Sequence, residues 1–80
     1  MSTRLQQFAV VRVIALRADR FRAEQIGYVR HPRVGDVGAI LETYVLPQPA
    51  YEVECCDPAS GETVWLQALY PDEIELVGAP

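Results

Sequence analysis

Few side chains in this sequence are equipped for chemistry, and their spacing decides what each could do. Cys55 and Cys56 are adjacent within AYEVECCDPASGETVWLQAL, residues 50–69. Neighbours on an extended strand point to opposite faces, so the two thiols diverge and do not converge on one ion. A tetrahedral zinc site wants Cys-x₂₋₄-Cys spacing and a second pair of ligands, and the one histidine, His31, stands alone. Cys55 is expected as a small core residue and Cys56 as a surface or rim thiol. Both are expected to stay reduced, with no metal and no cofactor bound.

Catalysis finds no footing either. Acid–base work needs a carboxylate or imidazole in a cleft with a shifted pKa. Glu52 and Glu54 share one strand face and read as solvated carboxylates, while His31 lies in the cationic loop Arg30-His31-Pro32-Arg33. No candidate nucleophile has a base nearby in sequence, so no catalytic residue is assigned and the protein is expected not to be an enzyme.

Trp65 is the stronger lead. In residues 62–69, Val64, Leu66 and Ala68 form the expected core face, which sends Thr63, Trp65 and Gln67 outward. Pairing across the turn at residues 57–61 then sets Trp65 opposite Glu52 or Glu54. Two arrangements account for an outward indole. In one, the arginine-rich segment covers it, with Arg20 or Arg22 stacked on the ring and paired with the glutamates. In the other, Trp65 and Tyr44 form an exposed anchor for a protein partner. The burial habit of tryptophan favours the first. The candidate partner-binding residues are Trp65, Tyr44, Arg20, Arg22, Glu52 and Glu54.

These residues need strands to position them, and strands are what the pattern supplies. Residues 8–16, FAVVRVIAL, are β-branched and apolar, with Ala9, Val11, Val13 and Ala15 on one side and Arg12 on the other. Residues 37–45 follow a turn in which Gly35 supplies a positive φ, and LPQP at 46–49 ends that strand. Residues 50–56 and 62–69 are the third and fourth strands, separated by the turn DPASG. Tyr70-Pro71-Asp72-Glu73 reads as a 3₁₀ turn before a last strand at 74–77. The segment 17–33 is long for a connection; Phe21, Ile26, Tyr28 and Val29 argue that it is anchored, with one helical turn around Ala23.

An 80-residue chain supports one domain, 1–80 with its core at about 8–77, because so short a chain buries only about 60–65% of its unfolded surface. Five short strands hide their edges best by curling into a small barrel. The expected fold is all-β: a five-stranded SH3-like barrel with a long ordered loop after the first strand. No apolar run approaches the length of a membrane span, and the chain is expected to be cytoplasmic.

Charge is distributed unevenly. There is no lysine, and all seven arginines precede Val34 against Asp19 and Glu24, a net +5; residues 34–80 carry nine acids and no base. Such asymmetry suits either a polyanion-binding arm or a basic segment lying against the acidic part of its own chain. The net charge of −4 favours the second, since nucleic-acid affinity rests on phosphate neutralisation.

The pattern PRVGDVGAI…ETY…AYEVECCDPASGETVWL…L…DEIELV, over about residues 34–77, resembles a small uncharacterised bacterial SH3-like family. Its members read G-D-x-G-[TA]-[VI]-V-E-x-Y, then A-Y-E-V-E-[FC], then D-[DE]-[LI]-x-x-[VL]. More distantly, the basic loop, HPRVGDVGAI and YEVECC resemble the barrel of the nitrile hydratase β-subunit and related electron-transport accessory proteins. The resemblance implies the fold and supplies no catalytic residue.

The expected function is a small non-catalytic binding or accessory module with a protein partner. The alternatives are a nucleic-acid-binding module of the KOW or Tudor-like kind, suggested by Gly35-Asp36-Val37-Gly38 and the arginines, and an accessory subunit of a metalloenzyme such as a nitrile hydratase.

Overall fold

The computed structural model describes residues 5–17 and 28–80. Five strands form one antiparallel sheet: β1 Val10–Val13, β2 Val37–Tyr44, β3 Ala50–Cys56, β4 Thr63–Leu69 and β5 Ile74–Gly78. They lie in the order β4-β3-β2-β1-β5, and no ladder joins the edge strands β4 and β5, so the sheet is not closed into a barrel. Among the described residues there is no α-helix; a 3₁₀ turn, Pro71–Glu73, precedes β5.

Period-two alternation decides which side of each strand is buried. Along β3, Tyr51, Val53 and Cys55 are buried while Glu52 and Glu54 are half-buried and Cys56 is exposed. Val11 and Val13 of β1, Ile40 of β2 and Ile74 of β5 complete that inner face with Trp65 and Leu69 of β4. Removing each such side chain from water stabilises the fold by roughly 1.5–3 kcal/mol. Register shifts between Ile40 and Glu42, between Cys55 and Cys56, and between Val10 and Val11 interrupt the three ladders concerned. Irregularities of this kind increase the local twist of a sheet.

The first strand is shorter than expected at both ends: Phe8 takes a φ of 69°, so β1 begins only at Val10, and after Val13 the Ile14 amide turns to the Glu73 carbonyl. The Phe8 amide still donates to the Ile40 carbonyl at 2.6 Å. Gly35 adopts the positive φ expected of it, 97°. Gly38 is needed for a different reason: a Cβ there would lie 2.6 Å from the Glu54 carbonyl oxygen, on the neighbouring strand pair.

Glu73 is the one fully buried charged residue among those described. Its carboxylate accepts the Tyr70 amide and the Arg17 amide, each at 2.8 Å, and its carbonyl accepts the Ile14 amide at 2.8 Å. One side chain thereby closes the 3₁₀ turn and fastens the chain leaving β1 to it.

Candidate functional site

Trp65 lies on the opposite face from the one its neighbours suggest. The β3–β4 ladder pairs Cys55 with Trp65 and Tyr51 with Leu69, so Trp65 shares the inner face and is 0% exposed. The expectation of Val64, Leu66 and Ala68 as the core face is corrected, together with Trp65 facing Glu52 or Glu54: those glutamates pair with Ala68 and Leu66. Alternation holds; its phase is set by the indole, which buries more surface than Val64, Leu66 or Ala68. With no exposed surface, Trp65 is not an exposed anchor.

Its polar atom is satisfied from within. The indole N–H donates to Asp36 Oδ2 at 2.9 Å. Asp36 also accepts two hydrogen bonds from the Arg30 guanidinium, at 2.7 and 2.9 Å, and the Arg33 amide at 2.9 Å. Burial alone would raise the Asp36 carboxyl, but the Arg30 guanidinium, the Arg33 amide and the indole together hold it below the usual carboxylate range. The end of the arginine-rich segment is therefore fixed by Arg30 and by the Val29 amide, which donates to the Val64 carbonyl at 3.0 Å. The side chains of Tyr28 and Val29, expected to anchor it, are exposed instead. Phe21, Ile26, the helical turn around Ala23, and Arg20 and Arg22 lie outside the described residues.

Among the described residues, three arginines of the basic part form ion pairs with acids of the second part. Arg12 meets Glu75 at 2.9 Å, Arg17 meets Asp72 at 3.1 Å and Arg30 meets Asp36 at 2.7 Å. Among the described residues these acidic partners are not the hairpin glutamates. On the outer face of the sheet, Glu42 stands directly opposite Glu52, and Tyr44 opposite Ala50. Glu54 accepts the Thr63 hydroxyl at 2.7 Å. Among the described residues no arginine pairs with Glu42, Glu52 or Glu54. The negative charge of Glu52, the largest influence, and of Glu42 pushes the Tyr44 hydroxyl above its ordinary value.

Beside this acidic strip is an apolar hollow. Tyr44, Leu46, Pro47, Gln48, Ala68 and Tyr70 line a cavity of about 410 Å³. Leu46, at the start of a cis Leu46–Pro47 peptide, is 82% exposed. The far wall is held in place: Gln48 Nε2 donates to the Tyr70 hydroxyl at 2.9 Å, and the Arg17 guanidinium stacks 3.9 Å from the centre of the Tyr70 ring. Of the expected candidates, Tyr44 and Glu52 come together here. Glu54 sits further along the same face and Trp65 on the other side of the sheet. The sequence argument missed Leu46, Pro47 and Tyr70; the signal available was LPQP, a solvent-facing turn with an unexplained leucine.

Cys55 is buried and Cys56 exposed, both as thiols, as their alternation required. They border a second hollow of about 500 Å³ with Arg30, Asp36 and Pro58. Burial raises both thiols, helped by Asp36 at Cys55 and by Glu54 at Cys56, which disfavours the nucleophilic thiolate. Among the described residues no three His, Cys, Asp or Glu side chains are grouped to hold a metal ion, and no helix is long and apolar enough to cross a membrane. Comparison with protein-family models, with curated proteins and with solved structures finds no match.

Proposed function

We propose that the domain is a non-catalytic protein-binding module of SH3-like architecture, and that its docking face is the hollow between Tyr44 and Tyr70. The strand order and the 3₁₀ turn ahead of β5 support a half-open SH3-like barrel. The observation that carries the binding role is Leu46, 82% exposed on the rim of a cavity walled by two tyrosines. An apolar side chain held in water beside a preformed hollow suits an interface centre, where aromatic anchors concentrate. The nucleic-acid alternative has less support, since Arg12, Arg17 and Arg30 are engaged with carboxylates and the outer face is acidic.

A photo-crosslinking residue placed at Leu46 tests this in cells. It should trap a discrete protein partner, and Tyr44→Ala should abolish the adduct without changing the melting temperature. Crosslinking from Leu46 no more specific than from an exposed position on the Asp57–Gly61 turn would overturn the assignment.

A further inference from the structure

The docking face has a chemical preference beyond its apolar hollow. Cross-strand neighbours of like charge destabilise a sheet, yet Glu42 and Glu52 are direct partners on adjacent strands, with Glu54 next along β3. Nothing basic among the described residues pairs with them, while Arg12, Arg17 and Arg30 are committed to Glu75, Asp72 and Asp36. The strip adjoins the hollow through Tyr44, whose ring lines the cavity and whose hydroxyl feels the negative charge of Glu52 and Glu42.

Resting on the docking reading above, we propose that the partner is a basic, extended protein segment. Its arginine or lysine lies across Glu42 and Glu52 against the face of Tyr44, and a neighbouring apolar side chain enters the cavity beside Leu46 and Pro47. Three features select this occupant. Two carboxylates facing one another offer a cation more than either alone and repel an acidic segment, a phosphate backbone or an anionic lipid surface. An exposed tyrosine ring beside them adds a cation–π contact. A cavity of about 410 Å³ is at the small end of preformed sites, suited to an anchoring side chain and not to a second folded surface.

The test uses the ¹⁵N-labelled full chain and three synthetic peptides: acetyl-SRLRLS-amide, the counterpart SQLQLS without charge, and SRSRSS without apolar anchors. The first should shift the amide signals of Tyr44, Leu46, Glu52 and Ala68 and weaken as salt rises. Affinity should drop at least about tenfold for SQLQLS, and equally for the first peptide on a Glu42→Gln, Glu52→Gln chain. That double variant relieves a repulsion, so its melting temperature should not fall, which separates recognition from structure. If SQLQLS binds as tightly as SRLRLS at the same face, the basic partner is overturned and the apolar docking face survives. If no peptide moves these signals, both are overturned. If a single-stranded dT oligonucleotide moves them instead, the partner is a nucleic acid and the proposal is wrong.

Discussion

The Trp65 indole donates to Asp36 Oδ2, 2.9 Å away across the fold and 29 positions earlier in the chain. This contact fixes where the arginine-rich segment ends, because the same carboxylate holds Arg30 and the Arg33 amide. Trp65→Phe keeps most of the buried volume and removes the N–H, so it should cost about 1–2 kcal/mol in urea unfolding. Asp36→Asn, which strands the guanidinium as well, should cost more, about 2–3 kcal/mol. A neutral Asp36→Asn would show that the cluster does not hold the segment.

The same carboxylate makes stability depend on pH in a defined direction. Burial acts to raise the Asp36 carboxyl, but Arg30, the Arg33 amide and the indole outweigh it, and the folded state holds it below the usual range. In the unfolded chain an aspartate titrates near ~3.9. The stabilisation is complete above that value and is lost as pH falls through the lower, folded value. Stability measured from pH 6 downward should decline more steeply in the native chain than in Asp36→Asn; parallel curves would place the acid sensitivity elsewhere.

Glu42 opposite Glu52 is a local cost to the sheet. Glu42→Gln should raise stability by about 0.2–1 kcal/mol, and the gain should shrink in molar salt. Destabilisation by this change would mean that Glu42 makes a favourable contact the ladder geometry does not reveal.

Gly38→Ala should destabilise by roughly 1–3 kcal/mol, the range for overpacking a tight contact. The new Cβ would meet the Glu54 carbonyl at 2.6 Å and Val53 Cγ1 at 2.8 Å, and a backbone oxygen cannot swing aside. Unchanged thermal unfolding would show that β2 and β3 can slide apart there.

The two thiols should differ sharply in access. Iodoacetamide at pH 8 should modify Cys56 in the folded chain and reach Cys55 only on unfolding, since Cys55 is buried. Cys56 should itself react more slowly than a small free thiol, because burial and Glu54 raise its pKa. Peptide mass mapping that finds Cys55 labelled first would contradict the alternation of β3.

Strand existence was legible because hydrophobic alternation and turn residues report on it directly, whereas the one pairing expected across the β3–β4 turn, Trp65 with Glu52 or Glu54, was not the one formed. Ala50–Cys56 lies at the expected bounds, and Pro71–Glu73 forms the expected 3₁₀ turn. The phase of β4 was not legible. Val64, Leu66 and Ala68 make one wholly apolar face while the buried face mixes Trp65 and Leu69 with Thr63 and Gln67, so alternation points the wrong way, and the register shift between Cys55 and Cys56 is invisible without the partner strand. Glu73 escaped for a related reason: a glutamate after Pro-Asp reads as solvated, and only the fold brings the Arg17 amide to its carboxylate. Of the residues around the hollow and the acidic strip, Tyr44 and Glu52 were among those singled out from the sequence. Leu46 and Tyr70 were not, since their neighbourhood exists only once β2, β3 and β4 are adjacent.

The placement of β1 between β2 and β5 bears on the order in which the chain acquires its structure. During synthesis β2, β3 and β4 emerge consecutively and can pair as successive hairpins, each with a short loop to close. β5 emerges after them, and its ladder is with β1 alone, joining residues as far apart in sequence as Val10 and Gly78. Closing so long a loop is slow relative to a hairpin. Until it closes, the three-stranded meander presents its apolar side, Trp65 included, to the surrounding solution, and Glu73 cannot yet reach the backbone beyond β1. Strand order thus makes β5 the last element whose pairing can be completed during synthesis, so substitutions in Ile74–Gly78 should lower the yield of recovered protein more than its final stability would suggest.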